Sequence, residues 1–140
     1  MTGRRLIDTN IAIYAYDSSA GHKQTTAQQV LREAAATREG VISIQVLGEC
    51  FHATVSRKNL LPVGKARLAL AALRQLEVVR VDEAMVDQAI NFHERFQLRY
   101  WDALIVATAK LSRCGLVVSE DFSDGQDCDG VTVVNPFRKG

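Results

Sequence analysis

Residues 101–118 read WDALIVATAKLSRCGLVV, and the architecture follows from them. From 101 to 111 the side chains are almost wholly apolar. A helix built from them has little polar face to offer water and is buried on most sides. Gly115 stops that helix, and Leu116-Val117-Val118 reads as a strand. Short apolar strands alternating with helices imply a parallel sheet covered on both faces.

The alternation extends outward in both directions. Upstream, Arg5-Leu6-Ile7 is a short strand ending at Asp8-Thr9-Asn10, and a small apolar helix over 11–16 follows. Residues 23–36 are rich in Ala, Gln and Leu, all good helix formers. Gly40 ends that helix, 41–44 read as a second buried strand, and Ser43 or a neighbour caps a helix over 45–57. Pro62 sits where a first-turn proline belongs, ahead of Ala66, Ala69, Leu70, Leu73 and Leu76 at helical spacing. Residues 78–81 read as a third strand. Asp82 caps a helix carrying Met85, Ala89, Phe92 and Phe96 on one face. Beyond 118, residues 119–130 read as a polar loop, and 131–134 as a fifth strand closed by Pro136. The expectation is one α/β domain over 1–140 with a mainly parallel five-stranded sheet. Its ligand site belongs outside the carboxyl ends of the strands.

Composition narrows the function. The 140 residues suit a single domain, and 47% hydrophobic content is ample for a core. Seventeen basic against sixteen acidic side chains leave +1, which excludes a strongly basic nucleic-acid coat but not local patches. No apolar run approaches the roughly 18 residues of a membrane span. Asp8 interrupts the apolar stretch near the start, so no signal peptide is expected. Cys50, Cys114 and Cys128 are odd in number and widely spaced. That argues against a disulfide framework or zinc site and suits a reducing cytoplasm.

Four acids stand out. Asp8 follows the first strand, and Asp121 lies three residues after the fourth, so both belong at the carboxyl edge of the sheet. Asp102 is in line with Ile105, Val106 and Ala109, and Glu49 with Val46, Cys50 and Ala53. Each has an ordinary reading alone: a helix cap for Asp8, a first-turn acid for Asp102, solvated side chains for Glu49 and Asp121. Together they are costly unless a cation neutralises them. A hard divalent cation such as Mg²⁺ takes oxygen ligands and shares its shell with phosphates. The loop beginning at Asp121 is not a calcium loop. Ser123 and Gly125 occupy its third and fifth positions, and it has no twelfth-position Glu.

These residues resemble the PIN-domain ribonucleases, in particular bacterial VapC-type toxins. The resemblance spans nearly the whole chain. It is carried by Leu6-Ile7-Asp8-Thr9-Asn10, Glu49, the run 100–109 (YWDALIVATA), the run 116–122 (LVVSEDF) and the ending from Asp124-Gly125-Gln126 to Asn135-Pro136-Phe137. It implies a three-layer α/β sandwich and a Mg²⁺- or Mn²⁺-dependent endoribonuclease. It also implies a homodimer and a cognate antitoxin that blocks the site. By matching positions, Asp8, Glu49, Asp102 and Asp121 form the catalytic, metal-binding pocket. Asp124 is a supplementary ligand, and Thr9 and Ser119 are assisting hydroxyls.

On that reading water attacks an RNA phosphodiester in line. Asp8 and Asp102 are direct ligands, and Glu49 and Asp121 complete the shell or take up the proton. Basic residues should rim the pocket. The last 22 residues carry two basic and five acidic groups, so the positive excess lies in the rest of the chain. Arg57, Lys58, Lys65, Arg67 and Arg99 are candidate phosphate contacts, with Tyr100 or Trp101 as a base-stacking surface. Solvated surface is the commoner fate of such cations, and core the commoner fate of Trp101. His52 follows Glu49 by three residues, yet ordinary surface or core placement is its better reading. His22 and His93 have no partner motif. No nucleophile–histidine pattern or phosphate-binding glycine loop is present.

Two further readings compete. One is a non-catalytic PIN-like module that binds RNA or protein. The other is a phosphatase with an aspartate nucleophile. That enzyme favours Asp-x-Asp after the first strand, where this chain has Asp8-Thr9-Asn10.

Overall fold

A computed structural model describes residues 1–138. Its elements run β1 (Arg5–Ile7), α1 (Thr9–Ala15), a 3₁₀ turn (Ser18–Ala20), α2 (His22–Thr37), β2 (Gly40–Ser43) and α3 (Ile44–His52). A π-type turn (Ala53–Arg57) continues α3, then α4 (Val63–Leu73), β3 (Glu77–Val79), α5 (Glu83–Phe96) and α6 (Tyr100–Leu111) follow. The chain ends in β4 (Leu116–Val118), β5 (Asp127–Cys128) and β6 (Val131–Val134).

The strands lie in the order β3-β2-β1-β4-β6-β5, parallel throughout except for β5. The chain winds outward from β1 to β3, then crosses to the other side of β1 to form β4. The strand order therefore reverses between β1 and β4, where a doubly wound sheet opens its crevice. By the right-handed rule for such crossovers, α1–α4 belong on one face and α5–α6 on the other. The packing of α1 on α2 and α3, and of α5 on α6, agrees. Every residue of β1 and β2 is buried, as strands sandwiched between helices require.

Among the described residues the expected five strands become six, because 119–130 is not wholly loop. Asp127–Cys128 pairs antiparallel with β6 through the two-residue turn Asp129-Gly130. Both turn residues have positive φ, 55° and 90°, the conformation of a type I′ hairpin. Smaller shifts occur elsewhere. Ile44 begins α3 and is half exposed, because Ser43 already caps that helix through its bond from the Val46 N–H at 3.2 Å. Leu76 lies beyond the end of α4 but is still buried. Asp82 caps α5, accepting from the Met85 N–H at 3.0 Å.

The edges of the sheet are protected. β3 is half exposed, and Glu77 there accepts two 2.7 Å bonds from Arg4. The amino end of β1 buries Arg5, which bonds the Gly3 carbonyl and pairs with Glu39 at 3.0 Å. All three cysteines are buried and free. Among the described residues, no helix is long and apolar enough to cross a membrane.

Candidate active-site cleft

The carboxyl ends of β1 and β4 meet through backbone. The Asp8 N–H donates to the Val118 carbonyl at 3.0 Å, and the Ser119 N–H to that of Val134 at 3.0 Å. Above this edge opens a cleft of about 590 Å³. Asp8, Glu49, Asp102 and Asp121 all line it, brought from β1, α3, α6 and the β4–β5 loop. Arg57, Lys58 and Arg99 line it too.

Asp8 sits deepest, 4% exposed. Its Oδ1 accepts from the Thr9 N–H at 2.7 Å, so it does cap α1, and its Oδ2 accepts from the Ser119 hydroxyl at 2.7 Å. Ser119 is fully buried, and its Oγ also accepts from Asn10 Nδ2 and the Asp121 N–H, each at 3.1 Å. One hydroxyl thus ties β1, α1 and the β4–β5 loop together. Burial pushes the Asp8 carboxyl up to about 7 despite the bonds from Ser119 and Thr9, and repulsion from Asp121 and Asp102 adds to the rise.

The other acids are more open. Glu49 is exposed, and its Oε1 accepts from the Thr9 hydroxyl at 2.8 Å and Gln45 Nε2 at 3.3 Å. Asp102, in the first turn of α6, pairs with Arg99 at 3.1 Å. That carboxylate raises the pKa of Arg99, with smaller contributions from Asp121 and Asp8. Among the described residues, no three Asp, Glu, His or Cys side chains meet as a preassembled metal cluster. The acids instead surround an open space.

Asp124 does not line the cleft; its carboxylate accepts from the Asn135 N–H at 2.8 Å and ties the loop to the strand end. Lys65 and Arg67 are exposed on α4, also away from the cleft. Trp101 is not core: it is 60% exposed and lines the cleft beside Asp102. Asn10, Tyr14, Gln45 and His52 are further lining residues. Gln45, Glu49 and His52 recur at i, i+4 and i+7 on α3, a spacing that marks one shared face. Tyr14 donates to Glu120, which also receives Lys23 Nζ at 2.8 Å, so the residue before Asp121 is tethered to α1 and α2.

The residues fit a hard divalent cation. Four carboxylates from separate elements face one cleft, and the deepest is held above the usual carboxylate range by burial and by two of the others. Mg²⁺ keeps several of its waters, so an open set of oxygens suits it better than a closed cage.

The fold is shared with known structures. A toxin–antitoxin complex from Klebsiella pneumoniae is 22% identical, with a TM-score of 0.72 over 96% of this chain and 99% of that one. VapBC2 of Rickettsia felis, bound to a DNA fragment from its promoter, is 17% identical, with a TM-score of 0.67 over 92% and 96%. VapC20 of Mycobacterium tuberculosis, described as a toxin that cleaves the sarcin–ricin loop, is 19% identical, with a TM-score of 0.62 over 81% and 86%. At such identities the likeness speaks for the fold alone. No curated protein is similar enough to match the chain. A family model does match: that of the PIN domain aligns with residues 5–123, through β1, β4 and the cleft between them, and the chain therefore belongs to the PIN-domain family.

Proposed function

We propose that this chain is a Mg²⁺- or Mn²⁺-dependent endoribonuclease that hydrolyses RNA phosphodiester bonds, and that it is the toxin of a toxin–antitoxin pair. The observation that carries the reading is the cleft itself. Asp8, Glu49, Asp102 and Asp121 line a single space that Arg57, Lys58 and Arg99 also line. Acids alone would repel a polyanion; acids with a cation among them, inside a basic rim, would hold one.

A divalent cation bound there supplies Lewis-acid polarisation of a phosphoryl oxygen and lowers the pKa of water. Asp8, Asp102 and Asp121 would hold it, with Glu49 completing the set. Ser119 and the Thr9 N–H keep the Asp8 carboxylate in one orientation. Arg57, Lys58 and Arg99 bind phosphates of the strand and fix the scissile bond over the acids. Glu49, exposed and accepting from the Thr9 hydroxyl, would complete the shell or take up the proton of the attacking water. The proposal includes a toxin role, a cognate antitoxin covering the cleft and a homodimeric state, all three carried by the resemblance to VapC-type toxins. The described roles of the Klebsiella, Rickettsia and Mycobacterium structures support the first two.

The test is cleavage of total cellular RNA with mapping of the ends, using wild type and Asp102→Asn with and without Mn²⁺. Cation-dependent cleavage that disappears in a folded Asp102→Asn is expected. Full cleavage by both Asp8→Asn and Asp102→Asn would reject the catalytic assignment. An absence of specific Mn²⁺ binding by calorimetry would favour the non-catalytic module.

A further inference from the structure

We infer that Glu120 is a positioning residue that aims Asp121 into the cleft, with α1 and α2 as its anchor. The inference rests on the reading of the cleft as a cation site. It adds the residues that hold the acid carried by a loop.

Asp8 caps α1, Glu49 stands in α3 and Asp102 in α6, so regular structure gives these three their direction. Asp121 has no helix or strand to do so. It is exposed, and its N–H donates to Ser119 Oγ at 3.1 Å. Glu120 supplies further restraint. Its carboxylate accepts from the Tyr14 hydroxyl of α1 and from Lys23 Nζ of α2, the latter at 2.8 Å. Its N–H donates to Asn10 Oδ1 at 3.4 Å, and the Nδ2 of the same amide donates to Ser119 at 3.1 Å. The anchor is itself packed. The Tyr14 ring meets Phe137 edge-on at 5.2 Å, and Lys23 Nζ lies 5.0 Å and 5.4 Å from the two ring centroids.

The Glu120 side chain is 22% exposed. An acid that served only to solvate the loop would face water instead of Tyr14 and Lys23. Lys23 neutralises it where it stands, so two successive acids take different directions. Glu120 does not line the cleft, and Asp121 does. Groups that orient a metal ligand commonly change cation affinity as much as the ligand's own surroundings do.

Calorimetric titration with Mn²⁺ alone tests this, beside amide hydrogen exchange in EDTA. Glu120→Ala should weaken Mn²⁺ binding by about tenfold. Lys23→Met should weaken it too, and the double variant should be no weaker than Glu120→Ala, because the pair acts as one grip. Charge alone predicts the opposite sign for Lys23→Met, since removing a nearby cation favours another. In EDTA, Glu120→Ala should speed exchange at residues 120–122 while β1 and β4 keep their protection. Unchanged Mn²⁺ affinity in Glu120→Ala, or tighter binding by Lys23→Met, overturns the inference. Exchange at 120–122 that keeps its wild-type rate in Glu120→Ala overturns the positioning role alone. Wild type that binds no Mn²⁺ overturns the cation reading of the cleft, and the exchange comparison still decides whether Glu120 holds the loop.

Discussion

Replacing Asp8 by asparagine should stabilise the cation-free protein while removing its response to cations. The Asp8 carboxyl is 4% exposed and pushed up to about 7 from an ordinary value of 3.8, chiefly by burial. Its folded-state pKa therefore lies above its unfolded one. Between about pH 4 and pH 7 the folded chain keeps a proton that the unfolded chain releases, so stability falls as pH rises through that window and levels off above it. At 1.36 kcal/mol per pH unit, the carboxylate costs the fold about 4 kcal/mol above pH 7. Asparagine removes that cost and keeps the bond from the Thr9 N–H, but its amide meets the Ser119 hydroxyl, which already accepts two donors. Rearranging that hydrogen bond costs about 1 kcal/mol, leaving a gain of about 3 kcal/mol, or roughly 10 °C in Tm. Calorimetric unfolding in EDTA at about pH 8 and about pH 4 checks it, with the gain nearly gone at the lower pH. Added Mn²⁺ should raise the Tm of wild type and leave that of Asp8→Asn unmoved. A variant no more stable than wild type at pH 8, or a difference that does not vary with pH, would refute the reasoning.

Ser119→Ala frees Asp8, Asn10 and the Asp121 N–H at once, and should cost about 1–3 kcal/mol in urea unfolding and weaken Mn²⁺ binding by calorimetry. Gly40→Ala would place a methyl 2.5 Å from the Ala34 Cβ and 3.1 Å from the Ala34 carbonyl, forcing α2 off β2; a loss of about 1–3 kcal/mol in thermal unfolding is expected. Neutralising Arg57 and Lys58 with glutamine should flatten the dependence of log Kd on log salt for single-stranded RNA by about 0.7 per contact, and an unchanged slope would remove the pair from the interface.

Much of the fold was legible because burial on two faces leaves a plain trace. Leu6-Ile7 and Val117-Val118 are apolar without alternation, and 103–109 is apolar all round, so the covered parallel sheet could be read without coordinates. The sixth strand was missed because its two residues, Asp127 and Cys128, have no periodicity; the Asp129-Gly130 turn was the signal that would have revealed it. Trp101 was misplaced because apolar character says that a side chain gains from burial, not that the fold has room for it at the mouth of a cleft.

The linear order of residues by itself determined the α/β class, the carboxyl-edge placement of Asp8 and the loop beyond β4, and the acids worth watching. Those features depend on local spacing and on which strands must be dry. Only the tertiary structure decided that Asp121 lines the cleft while Asp124 is bound to the Asn135 backbone, and that Arg57 and Lys58 line it while Lys65 and Arg67 do not. Charges of the same type, a few residues apart, differ only in the direction their backbone gives them, and that direction is set by contacts between segments far apart in sequence. Ser119, joined to Asp8 across 111 positions, is the clearest case.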